Sequence, residues 1–335
     1  MNHTIKDVAK KANVSIATVS RILNNSQAGY SAATKERVMN AIQELGYKPN
    51  GIARGLVSKR TKTIGVLMPN VSSMFSSKLI DGIEEAAHHE QYSVIICNTD
   101  RNGIRTLDYL NVLAEKKVDG LIFTSEILTR EYYEAIVAMN IPFVLVSTQS
   151  MQFQVPYVKI DDKHASYHAV SYLIEKGHQK IALISGDNND PIAGSPRVEG
   201  YKQALFDHGI SLYEDLITYG DFAFNSGKEC MKELLQKKEE FTALFCTSEE
   251  MALGAMSIAF DQKIKIPEQI SIIGFDNTRL AEMSTPSLTT VGQPLTQMGH
   301  QAVKMIISMM ENGKNVGSRI LPHEIVERNS VKELK

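Results

Sequence analysis

From Thr61 onward, short apolar runs alternate with stretches of helical periodicity, and this alternation restricts the possible fold more than any other feature of the 335 residues. The runs lie at 63–69 (TIGVLMP), 92–98 (YSVIICN), 119–124 (DGLIFT), 142–147 (PFVLVS), 180–185 (KIALIS), 242–247 (TALFCT) and 270–275 (ISIIGF). Helices are expected between them, over 76–90, 105–117, 163–177, 194–208, 249–261 and 295–312. Nearly continuous apolar strands separated by helices indicate parallel sheets covered on both faces. The body is longer than one ordinary sheet domain, so an α/β core of two doubly wound lobes is expected.

The first sixty residues are of another kind. They hold ten Lys and Arg against three Asp and Glu, a surplus of +7 on a chain whose formal net charge is −2. A polyanion-binding head on an acidic body is the physical reading of that split. Within the head, Thr4 and Asp7 have capping-box spacing for a first helix over 5–11. Asn13 and Val14 turn the chain, and Ser15 is placed to cap a second helix over 16–23. Val8, Ala9 and Ala12 meet Val19, Ile22 and Leu23 in a small core. A third helix starts at Ser31, carries an apolar stripe of Val38, Ala41, Ile42 and Leu45, and ends at Gly46. The head is therefore a small all-α helix-turn-helix unit.

Its outward face carries Ile16, Ala17, Ser20, Arg21 and Asn24, with Thr18 nearer the edge. Arg can grip guanine through two hydrogen bonds, and Ile and Ala can touch thymine methyl groups, so the mixture suits a helix in the major groove. Ser15 and Ser20, with Lys6 and Lys10, suit phosphates, which set position rather than sequence, and Thr4 is also expected among the DNA-binding residues. The plainer alternative is an amphipathic helix pair with a solvated basic face. Recognition by two heads would read a pseudopalindrome, so a homodimer on double-stranded operator DNA is expected.

The segments TIKDVAKKANVSIATVSRILNN (4–25), GYKPNGIARGLVSKRTKTIGVLMP (46–69), EEMALG (249–254), IIGFDNTRL (272–280) and PSLTTV (286–291) resemble the LacI/GalR (lactose-repressor) family of bacterial transcription regulators. The resemblance runs over nearly the whole chain. It implies a DNA-binding domain over 1–48, a hinge over 49–62, and a periplasmic-binding-protein-like core over 63–335. Within the core it implies one lobe over about 63–161 and 293–322, and the other over about 162–292 and 323–335, joined by three crossovers. It also implies that Asn50 to Ser58 becomes a hinge helix on DNA, with Leu56 wedged into the central base step beside Ala53. Asn50, Arg54, Lys59 and Arg60 would then face the groove or backbone. The residues themselves say only that Pro49 stops the third helix and that Gly51 and Gly55 lower helix propensity by about 1 kcal/mol each, so the segment needs a partner to fold. A plain flexible linker is the alternative.

A ligand of such a core belongs outside the carboxyl ends of the strands. Phe75, Ser147, Arg197, Phe222, Ser248, Asp276 and Gln293 lie at or near those ends. Aromatic rings for a sugar's C–H surface, with an arginine and carboxyl or amide groups for its hydroxyls, form a sugar-binding set. By resemblance, Arg197 and Asp276 match effector-binding residues and Phe75 and Phe222 match pocket aromatics. Each has a plainer reading: the two Phe as core, and Arg197 with Asp276 as a structural ion pair between lobes. Ser248 and Ser147 depart from the family habit of asparagine and acid at their places, which leaves the sugar or sugar phosphate unspecified.

One branch of the family uses the serine-phosphorylated phosphocarrier protein HPr as corepressor, read partly by a Tyr-Asp pair before the last long helix and by an arginine on it. Here Thr296 and Gln297 stand in place of the pair and Lys304 in place of the arginine, which loses the bidentate fork for phosphate. With Arg197 present where that branch has lysine, a small-molecule effector is favoured, and HPr is the alternative partner.

Other chemistry is sparse. Cys97, Cys230 and Cys246 form no C-x-x-C pair, so no zinc or redox motif is supported and a reducing cytosol suits them. His88-His89-Glu90 lacks the H-E-x-x-H order, and His178 reads as a capping or core residue. No nucleophile elbow, Walker loop, export signal or long apolar span is found. The expectation is a cytoplasmic, non-enzymatic, allosteric repressor of carbohydrate genes without cofactor or metal. A sugar-binding receptor with no DNA function is the alternative from another class. The helix over 76–90, with Leu79, Ile80, Ile83 and Ala87, reads equally as a subunit interface or a core stripe.

Overall fold

The computed structural model describes residues 3–23, 29–47, 60–100, 104–313 and 316–334. Two compact units emerge, one ending at Lys62 and the other running from Thr63 to the carboxyl terminus.

The first unit holds α1 (Ile5–Ala12), α2 (Ile16–Leu23) and α3 (Ala32–Leu45). Local chemistry sets its boundaries. The Thr4 backbone N–H and hydroxyl both donate to Asp7 at 2.7 and 2.8 Å, and these bonds hold the Asp7 carboxyl below the usual carboxylate range. Asn13 ends α1 in the left-handed region, and Ser15 then accepts from the Thr18 amide at 3.1 Å. Ser31 caps α3 in the same way, and Gly46 closes it with φ +56°. Val8, Ala9, Ala12, Val19, Ile22, Val38 and Ala41 form one buried core, with Leu23, Ile42, Leu45 and Tyr47 packed at its edge.

The second unit has two six-stranded sheets. In chain order the elements are β1 (Thr63–Met68), α4 (Met74–His89), β2 (Ser93–Asn98), α5 (Thr106–Lys116), β3 (Gly120–Thr124), α6 (Arg130–Ala138), β4 (Phe143–Val146) and β5 (Tyr157–Ile160). Then follow α7 (Asp162–Glu175), β6 (Ile181–Ser185), α8 (Gly194–Asp207), β7 (Ile217–Tyr219), α9 (Phe224–Leu235), β8 (Ala243–Cys246), α10 (Glu249–Asp261), β9 (Ser271–Asp276), α11 (Arg279–Met283) and β10 (Thr289–Gly292). The last elements are α12 (Leu295–Asn312), β11 (Arg319–Leu321) and β12 (Glu324–Val326).

One sheet has the order β11-β5-β4-β3-β1-β2 and the other β12-β10-β9-β8-β6-β7. All pairings are parallel except β12 on β10, which is antiparallel. The chain therefore passes between the sheets three times: between β5 and α7, between β10 and α12, and between β11 and β12. Each lobe has buried layers on both faces of its sheet, as the continuous apolar strands require.

Where α12 returns to the first lobe it lies directly on α4. A Cβ at Gly82 would fall 2.2 Å from the Thr296 carbonyl oxygen, and one at Gly299 would fall 2.6 Å from the Ile83 amide nitrogen. Paired glycines thus let two backbones approach closely. Leu79, Ile83 and Ala87 of α4 are buried in the core of their own lobe, with Ile80 packed against it, so the stripe on this helix serves as core. His178 is fully buried, with Nδ1 2.9 Å from the Thr242 hydroxyl and Nε2 3.2 Å from the Lys332 carbonyl, a structural histidine. No helix among the described residues is long and apolar enough to cross a membrane.

Candidate DNA-binding and effector sites

In the helical head, α2 turns Val19 and Ile22 inward, and the opposite face is accessible. Ser15, Ile16, Ala17 and Arg21 are exposed, Ile16 at 44%. Thr18 and Ser20 are half-buried at its edge, and Thr18 shares a 2.9 Å hydrogen bond with the Ser15 hydroxyl. Thr4, Lys6 and Lys10 are exposed on α1 and its cap. The Arg21 side chain crosses over Gly29, whose missing Cβ would fall 2.9 Å from an Arg21 guanidinium nitrogen. The face therefore offers one long cation, a short hydroxyl row and two small apolar contacts, which is the kit for reading base edges. Asn24, Asn50, Ala53, Arg54, Leu56 and Lys59 lie outside the described residues.

The second candidate site lies between the two sheets. Lys78, in the first turns of α4, donates from Nζ to the Asn277 carbonyl at 2.7 Å, which brings the segment after β1 against the segment after β9. The carboxyl ends of the two sheets face each other there, the cleft geometry of doubly wound folds. Arg197 on α8 and Asp276 at the end of β9 are 6% and 8% exposed.

Their partners differ from the interlobe ion pair considered from sequence. Arg197 pairs with Asp162 at the start of α7, through Nε at 2.9 Å and Nη2 at 2.8 Å, and its Nη1 donates to the Thr247 carbonyl at 2.6 Å. These bonds engage three of the guanidinium's five N–H donors. The plane also stacks 3.8 Å above the Phe275 ring centroid, with Phe222 at 5.8 Å. Lys159 at the end of β5 closes the cluster, 3.2 Å from the other Asp162 oxygen.

Asp276 accepts instead from the Gln293 amide at 2.7 Å. Burial pushes its carboxyl up to about 8, with Arg197 pulling in the opposite direction. Its backbone has φ +125°, a region that non-glycine residues rarely occupy, and Asn277 follows at φ +59°. Glu249 supports this strained corner: its carboxylate accepts from the Thr278 amide and hydroxyl and from the Thr290 hydroxyl, while burial raises its pKa.

The remaining predicted residues divide into supports and free groups. Ser248 is committed within the protein, capping α10 through the Met251 amide and donating to the Phe222 carbonyl at 3.0 Å. Phe222, at φ +65°, is half-buried over Gly186, where a Cβ would fall 1.9 Å from its ring. Phe75 is half-buried against the first lobe's core. Ser147, at the end of β4 with φ +53°, has a buried hydroxyl without a protein partner. The same holds for Asn98 Oδ1 at the end of β2 and Ser185 Oγ at the end of β6. Buried polar atoms without protein partners are few in folded chains; among the described residues, these three lie at strand carboxyl ends, and the other two, Ser171 Oγ and Tyr172 OH, are on α7.

Sequence reasoning missed Lys159, Asp162, Asn98 and Ser185. Lys159 had one visible signal, a lysine interrupting the otherwise apolar end of the strand YVKI. Asn98 and Ser185 had only their place as the last residues of apolar runs.

Residues 4–50 match the family described as bacterial regulatory proteins, lacI family, and residues 61–328 match periplasmic binding proteins and sugar binding domain of LacI family. Over 334 residues the chain is 41% identical to catabolite control protein A of Priestia megaterium, covering 99% of this chain and 100% of that one. It is similar to the solved complex of the transcriptional regulator CelR with cellobiose, at 30% identity and TM-score 0.75, over 98% of this chain and 100% of that chain. It is also similar to the lac repressor dimer bound to operator and the anti-inducer ONPF, at 27% identity and TM-score 0.88, over 99% and 100% of the two chains.

Proposed function

This chain belongs to the LacI family of DNA-binding bacterial transcription regulators, and on that premise we propose that it is a dimeric repressor of carbohydrate genes controlled by a sugar or sugar phosphate. The head supplies DNA contact: α2 lies in the major groove, with Arg21 on a guanine and Ile16 and Ala17 on thymine methyl groups. Thr4, Lys6, Ser15 and Ser20 hold phosphates. Asn24 and the segment holding Asn50, Ala53, Arg54, Leu56 and Lys59 complete the contact, as the family resemblance implies. The relatives named above are regulators rather than enzymes, and this chain acts by binding alone.

The effector reading rests chiefly on the cleft polar atoms at strand ends that lack protein partners. A sugar hydroxyl fits against Ser147 Oγ and Asn98 Oδ1 from one lobe and Asp276 from the other, with Phe75 and Phe222 flanking its C–H faces. Arg197 adds its remaining donors, while Gln293 and Ser248 act through Asp276 and Phe222. Binding sets the angle between lobes and hence the spacing of the two hinge segments in a dimer. A ligand favouring the DNA-bound spacing is a corepressor and one favouring the other spacing is an inducer; in either case DNA changes ligand affinity by the same factor.

The test is a thermal-shift screen of sugars and sugar phosphates on wild type, Ser147→Ala and Asp276→Asn. The reading expects a ligand that raises Tm of the wild type and acts more weakly on both variants. A ligand unaffected by either change removes the cleft assignment. The reading with seryl-phosphorylated HPr as corepressor has less support: Gln297 and Lys304 of α12 are exposed, but Lys304 is a point charge without the fork that grips phosphate.

A further inference from the structure

Three imidazoles meet at a place that the DNA and sugar readings leave unused. His164 and His168 stand four residues apart on α7, on one face of the helix, and His323 lies in the connection between β11 and β12. Their ligating nitrogens all lie within 4.8 Å of one another. His323 Nε2 is 2.9 Å from His168 Nδ1. The ring centroids are 4.1 Å apart for His164 and His168, 5.4 Å for His164 and His323, and 4.9 Å for His168 and His323.

We propose that His164, His168 and His323 form a three-imidazole site for a divalent transition metal, with zinc as the fitting ion. Zn–N bonds of about 2.0–2.1 Å in tetrahedral geometry place donor nitrogens roughly 3.3 Å apart. One pair is already closer than that, and the third ring, on an exposed side chain, closes the set by side-chain rotation without moving the helix. A helical pair at i and i+4 plus one ligand from a distant segment leaves a fourth position for water. Imidazole ligands without thiolate suit zinc, copper and nickel rather than magnesium or calcium.

The location gives the site a consequence. α7 begins immediately after the first passage between lobes, and His323 sits within the third. A metal held by all three rings ties those two passages together and stiffens the region through which the lobes move. The separation of 155 positions between His168 and His323 explains why spacing alone does not reveal the cluster.

The experiment uses the full-length chain, stripped with chelator and titrated with Zn²⁺ by calorimetry and with Co²⁺ by visible absorption. Wild type is expected to take up one ion per chain in this cluster, with the cobalt bands of a low-coordinate nitrogen site, and to gain Tm with zinc. His164→Ala, whose ring is exposed, and His323→Ala are each expected to weaken that binding at least about tenfold and to abolish the bands. His89→Ala, a distant exposed histidine, is expected to change nothing. Zinc binding that survives His164→Ala with unaltered affinity, or a wild type that takes up no ion, overturns the proposal.

Discussion

Burial separates Asp276 from an ordinary aspartate. Its carboxyl keeps its proton in the folded chain to about pH 8, whereas in the unfolded chain the proton leaves near pH 3.9. Between those values the folded state binds more protons than the unfolded one, so this group's contribution to stability falls as pH rises. Denaturant melts of wild type and Asp276→Asn from pH 5 to 8.5 should show a wild type that loses stability relative to the variant, by at most about 1.4 kcal/mol per pH unit. Equal slopes would mean that the carboxyl is ionised throughout. Arg197 makes a different prediction. Its bonds to Asp162 are buried, so Arg197→Ala leaves that carboxylate with Lys159 alone and should cost about 3 kcal/mol in unfolding free energy. Loss of sugar binding in Arg197→Ala would therefore mix two effects, which is why Ser147, whose hydroxyl has no protein partner, is the cleaner probe of the cleft.

At the scale of elements, the α4–α12 crossing depends on two glycines. Gly82→Ala places a methyl group on the Thr296 backbone, which is not a flexible side-chain tip that can yield. Overpacking of this kind costs about 1–3 kcal/mol, and the same is expected of Gly299→Ala; an unchanged urea midpoint for both variants would contradict the close approach. At the other end of the chain, Asp7→Ala removes the acceptor of both Thr4 bonds and should lower the stability of the head, read from its thermal transition.

Such elements were legible in the sequence to different degrees, for physical reasons. α1 begins and ends on caps and α2 begins on one, so local sequence contains much of their cause. The apolar runs marked β1, β3, β4, β6, β8 and β9 because those strands are buried on both faces, and β2 because its residues are apolar although it is a partly exposed edge strand. β5, β7, β10, β11 and β12 are three or four residues long and mixed with or flanked by polar residues, so no apolar run marks them, and they exist because neighbouring strands accept them. α6 and α9 also went unread, although Thr129 caps the former in the usual way. In the cleft, residue types pointed to Arg197 and Asp276, but their actual partners, Asp162 and Gln293, are set by tertiary packing. Ser248 reads as a ligand contact because it ends a strand, although its place just before the helix expected over 249–261 also carries the signal of the cap that occupies its hydroxyl.

For the whole molecule, the charge split carries the account. A head with a surplus of +7 on an acidic body should bind duplex DNA with an affinity that falls steeply as salt rises, through release of counterions, and the slope should shrink by about one when Lys6→Ala removes a phosphate contact. The body decides when that binding occurs, and a ligand can shift DNA affinity only by as much as DNA shifts its own.

The central claim is that α2 reads base edges. Its most direct test is to select preferred duplexes from a random pool with the full-length protein, then measure the affinities of wild type and Arg21→Ala for the selected site and its single-base variants. The account predicts that Arg21→Ala loses about 1–3 kcal/mol on the selected site and ceases to discriminate at one base pair in each half-site. Discrimination unchanged at every position would contradict it.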